Sequence, residues 1–210
     1  MSCLVNLVLD GRPVVVVGAG PVAGRKVNDL VAAGARVRVV APRACQPIQA
    51  LAAEGRIQYE CRRFAAGDLD GAFLAVAATD DEAVNARVAE DARVLGILVN
   101  VVDRPALCTF TWPAMVRRGD LTLAVATQGR CPALARAIRE ELEDRYGPEY
   151  AEVVRLLGDL RNQMLERGWA GSRIQQTISE IYRSGIVQAV RSGDSSRVEE
   201  MIRKHLGAGF

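Results

Sequence analysis

The strongest constraint on the fold is a glycine motif that directly follows a short apolar run. Pro13–Val17 is apolar and β-branched, as in a buried strand, and Gly18-Ala19-Gly20-Pro21-Val22-Ala23 comes next. Apolar residues at helical spacing then continue as far as Gly34. In such a strand-to-helix turn, Gly18 permits the sharp bend, Gly20 lets the backbone approach a diphosphate, and Ala23 packs the helix closely on its strand. The motif predicts a dinucleotide-binding βαβ unit.

Three more strand patterns follow the glycine motif. They cover Arg36–Ala41, Phe73–Ala78 and Ile97–Val102, and helical segments separate them. Strands that alternate with helices favour a parallel sheet with helices on both faces. We therefore expect an α/β fold with a Rossmann-like, doubly wound parallel sheet over residues 1–112.

The pattern changes beyond residue 112. A strand pattern covers Leu121–Thr127, and Pro132 begins a helix. From Pro148 onward the apolar spacing is helical throughout. We expect a small α+β unit over residues 113–147 and a C-terminal helical domain over residues 148–210.

Composition excludes several classes of protein. Lys and Arg number 27 against 25 Asp and Glu, a balance too even for a protein that binds nucleic acid through phosphate contacts. No apolar run approaches the roughly 20 residues of a membrane span, and residues 1–10 lack a signal-peptide pattern. The five cysteines are scattered singly and there is one histidine, so we predict no resident metal site. We expect a cytoplasmic protein.

Polar residues follow two of the later strands, at the sheet edge where open α/β sheets bind ligands. Thr79 follows the third strand, which places it at the cofactor edge, and with Glu82 it has the spacing of a capping box. Asp80 and Asp81 have two interpretations, a role in the site or simple stabilisation of the helix that follows. Asp103 follows a wholly apolar strand, and we predict a catalytic role for it rather than a turn-capping one.

The end of the second strand lacks one expected residue. An acidic side chain usually binds the ribose 2′-hydroxyl at this point, but the chain has Pro42 and Arg43. Arg43 would favour a 2′-phosphate. On this argument alone the choice between NAD and NADP stays open.

Arginines are frequent between residues 104 and 139. Arg118 and Arg130 flank the Leu121–Thr127 strand pattern, and Thr127 precedes the helix that begins at Pro132. Helix N-termini and arginine forks both bind carboxylates. We predict that Thr127, Arg118 and Arg130 bind a polyanionic small molecule.

Several motifs, in order, closely resemble one family, the precorrin-2 dehydrogenases, also called siroheme synthase N-terminal-like proteins. The resemblance extends from the first strand to about Tyr146, whereas the helical tail is similar only in length and character. The matching segments are Gly18–Ala23, Arg25-Lys26, Ala78–Asp81, Val84-Asn85, Asn100–Asp103, Phe110, Pro113-Ala114 and Thr127–Gly129, followed by Pro132, Leu134 and Ala135.

The resemblance implies NAD-dependent oxidation of precorrin-2 to sirohydrochlorin by an intertwined homodimer, with residues 113–147 as the dimerisation segment. Some relatives also insert ferrous iron, which would then be a substrate. Asp103 matches the family's essential aspartate, and Thr127 matches a hydroxyl residue of the tetrapyrrole pocket. Cys131 departs from the serine that relatives often have before Pro132. Positions that contact the cofactor in relatives correspond to Pro21, Val22, Pro42 and Arg43.

Two other classes of function use the same fold. One is a metal chelatase or metal-delivery protein, and the other is a noncatalytic module that senses NAD. Turnover of NAD distinguishes them from a dehydrogenase.

Overall fold

A computed structural model describes residues 3–206 of the chain. It divides into two compact units, the first ending at Trp112 and the second beginning at Pro113. The first unit contains β1 (Pro13–Val17), α1 (Pro21–Ala32), β2 (Arg36–Val40), α2 (Gln46–Ala53), β3 (Gln58–Glu60), β4 (Leu74–Ala77), α3 (Glu82–Leu95), β5 (Leu98–Val101) and a 3-10 turn (Pro105–Leu107). The second contains β6 (Ala114–Arg118), β7 (Leu121–Val125), α4 (Pro132–Arg145), α5 (Glu149–Glu166), α6 (Gly171–Arg183), α7 (Ile186–Arg191) and α8 (Ser195–Leu206).

The first unit is built on a five-stranded parallel sheet in the order β3-β2-β1-β4-β5. The four predicted strands are present, and β3 is an additional one. The chain winds outward in both directions from β1 and β4, so the topological switch point lies between them. The predicted Rossmann-like, doubly wound α/β fold is confirmed.

Helices cover both faces of this sheet, and both faces are apolar. Along β1, Val14 and Val16 belong to the core beneath α1 and α2, whereas Val15 and Val17 belong to the core beneath α3. Strands covered on both faces need continuous apolar sequence, which explains the uninterrupted valines.

The second unit combines a hairpin with helices. β6 and β7 pair antiparallel, from Ala114 opposite Val125 to Arg118 opposite Leu121, so the sequence interpretation missed β6. The helical core of the unit includes Val153, Met164 and Ile181. No helix within residues 3–206 is long and apolar enough to cross a membrane.

Candidate functional site

Gly18 lies where the carboxyl ends of neighbouring strands come close together. Its φ is +103°, and its N–H donates to the Val40 carbonyl at 3.0 Å. A Cβ atom at this position would lie 2.2 Å from the carbonyl oxygen of Ala78, which follows β4. Only glycine fits both the dihedral angle and the space.

Gly20 has a different environment. Its φ is an ordinary −77°, and a Cβ atom there would meet no protein atom within 4 Å. Gly20 is the N-cap of α1 and offers no capping side chain, so the first N–H groups of the helix, at Val22 and Ala23, lack acceptors within it. The open space and the free donors fit a diphosphate group.

Some side chains of the glycine motif are exposed at the start of α1, and others are buried in the core. Val22 is exposed at 36%, and Pro21 is also exposed at the first position of α1. Ala23 is fully buried and belongs to the core beneath α1. Ala23 therefore allows the close packing of helix on strand that the motif predicts.

The loop after β2 lies against the glycine turn. The Cys45 N–H donates to the Ala19 carbonyl at 2.9 Å, and the Cys45 Sγ lies 3.6 Å from the Gly20 carbonyl. Pro42 and Arg43 are exposed in this loop. The sequence interpretation did not identify Cys45 at this edge, because nothing local indicates that a residue after β2 bonds to the glycine turn.

Thr79 forms a closed hydrogen-bond pair with a buried asparagine. Its hydroxyl donates to Asn85 Oδ1 at 2.8 Å, and Asn85 Nδ2 donates to the Thr79 carbonyl at 2.8 Å. The predicted capping box of Thr79 and Glu82 is wrong. The N-cap of α3 is Asp81, whose carboxylate accepts from the N–H groups of Ala83 and Val84. Asp81 therefore stabilises its helix, and Thr79 fixes the loop after β4.

Asp103 follows β5 after Val102 with a left-handed backbone, φ +60°. Its side chain is exposed and lines a shallow groove of about 490 Å³ together with Asn85 and Leu107. At the rim, Arg104 forms an ion pair with Glu82. A non-glycine residue in this conformation costs about 1 kcal/mol or more, which makes its carboxylate a candidate for function.

In the second unit, a tight turn joins β7 to α4. Gln128 and Gly129 both have positive φ, +53° and +76°, and the Arg130 N–H donates to the Thr127 carbonyl at 3.0 Å. The Cys131 N–H donates to the Thr127 hydroxyl oxygen at 3.3 Å, which leaves the hydroxyl proton available. Arg130 is exposed beside this turn. The turn thus holds Thr127 and Arg130 at the N-terminus of α4.

Arg118 is already engaged at the other end of α4. Its Nε donates to the Tyr146 carbonyl at 2.8 Å, and one terminal nitrogen donates to the Glu143 carbonyl at 3.1 Å. Its other terminal nitrogen donates to the Arg117 carbonyl at 3.0 Å. Because these bonds close the last turn of α4, Arg118 has a structural role that the sequence interpretation missed. Substrate binding by Arg118 stays a prediction.

Candidate metal ligands do not cluster in the described part of the chain. Within residues 3–206, no group of three or more His, Cys, Asp or Glu side chains could hold a metal ion.

Comparisons with known proteins agree with this geometry. A family model described as NAD(P)-binding matches residues 5–114. The chain is 39% identical over 199 residues to a siroheme synthase of Ectopseudomonas mendocina, covering 94% of this chain and 42% of that protein. A siroheme synthase of Pseudoalteromonas translucida is 36% identical over 200 residues, with 95% and 42% covered. The chain therefore spans less than half the length of these curated relatives.

A solved structure matches over nearly the whole chain. It is that of SirC, a precorrin-2 dehydrogenase, with a TM-score of 0.80 and 28% sequence identity, and the match covers 97% of this chain and 98% of that one. The chain belongs to the NAD(P)-binding family whose model it matches, and its resemblance to the siroheme synthase N-terminal-like proteins is confirmed.

Proposed function

We propose that the protein is an NAD-dependent dehydrogenase that oxidises precorrin-2 to sirohydrochlorin. The observation that carries this proposal is the position of Asp103. This exposed carboxylate has a left-handed backbone at the carboxyl edge of the sheet that bears the glycine turn. Similarity to SirC over 97% of the chain supports the choice of substrate.

The residues of the glycine turn fit a dinucleotide. Gly20 leaves open space, and the free N–H groups of Val22 and Ala23 would donate to the diphosphate. Pro42 and Arg43, after β2, would contact the adenosine half, and Thr79 would hold the loop on the other side of Gly18. When bound, NAD supplies a hydride acceptor. The acidic residue that usually binds the ribose is absent, because Pro42 and Arg43 follow β2. The preference for NAD over NADP therefore rests on the resemblance to precorrin-2 dehydrogenases.

Asp103 acts as the general base. Oxidation removes a hydride and a proton from precorrin-2, and the carboxylate of Asp103 accepts the proton as the hydride leaves. Its exposure on the groove keeps it accessible to a substrate. The product gains conjugation and carries the same carboxylates as the substrate.

Thr127 and Arg130 bind the substrate in this proposal. Arg130 is exposed, and the Thr127 hydroxyl retains a proton to donate. Arg118 contributes indirectly, because it fixes the end of α4. We also predict that it contacts the substrate directly. The homodimer, its dimerisation segment at residues 113–147 and the cytoplasmic location belong to the same proposal.

Insertion of ferrous iron into sirohydrochlorin is the second candidate activity. The name siroheme synthase, carried by relatives 36–39% identical to this chain, supports it, because siroheme contains iron. Iron would be a substrate here and not a resident cofactor. Asp103 could serve this reaction too, by accepting pyrrole protons as the metal enters.

An absorption time course tests the proposal. Purified protein is mixed with precorrin-2 and either NAD or NADP, and ferrous iron is added after the first reaction ends. We expect oxidation with a kcat/KM much higher for NAD. A preference for NADP would make Arg43 a phosphate ligand. Metal insertion without NAD turnover would indicate a chelatase, and NAD binding without either reaction would indicate a sensing module.

A further inference from the structure

Lys26 is a half-buried cation on the cofactor-binding helix. It lies in the second turn of α1, and its Nζ is 4.2 Å from the centroid of the Trp112 ring. Trp112 in turn packs on Phe110, with ring centroids 5.3 Å apart. The aromatic face attracts the ammonium and fixes its position.

Charged neighbours also act on this ammonium, and Asp29 and Arg25 are the two on the same helix. Burial lowers the pKa of Lys26, while Asp29, Cys108 and Asp103 act in the opposite direction. Burial of an ammonium is costly, and an anionic ligand beside it would reduce that cost.

The position of Lys26 indicates which ligand it would meet. Side chains on a helix lean toward its N-terminus, so Lys26 leans toward the carboxyl edge of the sheet, where α1 begins. The aromatic pair that holds Lys26 is tied to β5, because Asn100 Nδ2 of that strand donates to the Phe110 carbonyl at 3.1 Å. Pro42 and Arg43 follow β2, which lies on the opposite side of β1. These positions favour the ligand that reacts at Asp103 over the adenosine half of the dinucleotide.

We propose that the Lys26 ammonium binds a carboxylate of the tetrapyrrole substrate beside Asp103. The inference rests on the proposed function, since it takes its ligand from that reaction. The ring face of Trp112 occupies one side of the ammonium, which has three N–H donors with which to bind a carboxylate. Lys26 would thus orient the substrate so that its reacting carbon faces Asp103.

The neighbouring Arg25 supplies a matched control. It is exposed on the same helix, so Arg25→Gln and Lys26→Gln remove the same charge one residue apart. We would titrate each variant with sirohydrochlorin and follow tryptophan fluorescence, because Trp112 lies against Lys26. Loss of one charge-assisted contact should weaken sirohydrochlorin binding about tenfold in Lys26→Gln. Arg25→Gln should change the Kd less than about twofold. Both should bind NAD as the wild type does.

Two further measurements keep the test decisive. Lys26→Arg retains the charge and should bind sirohydrochlorin more tightly than Lys26→Gln, even if the glutamine variant folds poorly. Equal losses in Lys26→Arg and Lys26→Gln, equal losses in Lys26→Gln and Arg25→Gln, or an unchanged Kd in Lys26→Gln would overturn the inference. If the wild type oxidises precorrin-2 while Lys26→Gln binds normally, only the inference fails. If the wild type neither oxidises precorrin-2 nor binds sirohydrochlorin, the proposed function itself fails.

Discussion

The two units form their candidate sites by different means. In the first, backbone shape dominates, because Gly18 must approach Ala78 and Gly20 must leave space. In the second, side chains fix the backbone from a distance, as Arg118 does for residues 25 and 28 positions away in sequence. Backbone requirements appear as local motifs, whereas long-range contacts do not. The candidate cofactor site of the first unit can therefore be predicted from the sequence. The candidate substrate-binding residues of the second unit are much harder to predict.

Asp103→Asn should give the largest effect and should leave both units folded. An amide cannot accept the substrate proton, so we expect kcat for dehydrogenation to fall by about a hundredfold or more. Asparagine tolerates positive φ, so the strand end should keep its geometry. The measurement is a single-turnover absorption trace with precorrin-2 and NAD.

The control for Asp103→Asn is its NAD affinity, which should equal that of the wild type. Loss of metal insertion in the same variant would support a role for Asp103 in both reactions. Full dehydrogenase activity would rule out Asp103 as the base and direct attention to Asp80 or to a base on the substrate.

The two glycines of the first unit should separate folding from binding. Gly20→Val places a side chain where the diphosphate would bind, so calorimetry should detect no NAD binding, while the melting temperature stays near that of the wild type. Gly18→Ala meets the Ala78 oxygen and should cost about 2–4 kcal/mol of unfolding free energy. Unchanged NAD affinity in Gly20→Val would mean that this turn is only structural.

Arg118→Ala and Arg130→Ala should likewise separate folding from binding in the second unit. Arg118→Ala leaves carbonyls at the end of α4 without donors, and we expect it to lose about 1–2 kcal/mol of stability. Arg130→Ala should leave stability unchanged and raise KM for precorrin-2, with the increase shrinking at high salt. Chemical denaturation and steady-state kinetics provide the two readouts. If neither variant changes KM, the anion-binding interpretation of this region is wrong.

The smallest effect we predict is a gain in folding stability. Asp103→Gly removes the strain of φ +60° and should stabilise the first unit by up to about 1 kcal/mol, measured as a higher denaturation midpoint. A loss of stability would mean that the aspartate side chain makes a stabilising contact in the folded protein.

Local sequence patterns predicted most of the first unit. They missed features that depend on contacts between residues far apart in sequence. β3 is a three-residue edge strand with polar ends, and its surroundings are tied together by ion pairs, including Arg62 with Asp68 at 2.6 Å. Neither feature produces an apolar run. The Thr79 capping box was wrong because Asp81 competes for the same helix N-terminus, and Asn85 provides Thr79 with another partner.

The strain at Asp103 makes the proposed catalytic site sensitive to mutation in one respect. Glycine and asparagine each require a single nucleotide change from an aspartate codon, and both suit a left-handed backbone. Laboratory selection for heat resistance alone would accept either residue. The resulting protein would fold well, keep the open space at Gly20 and still bind its dinucleotide. A single mutation would thus convert the proposed dehydrogenase into a protein that only binds its dinucleotide.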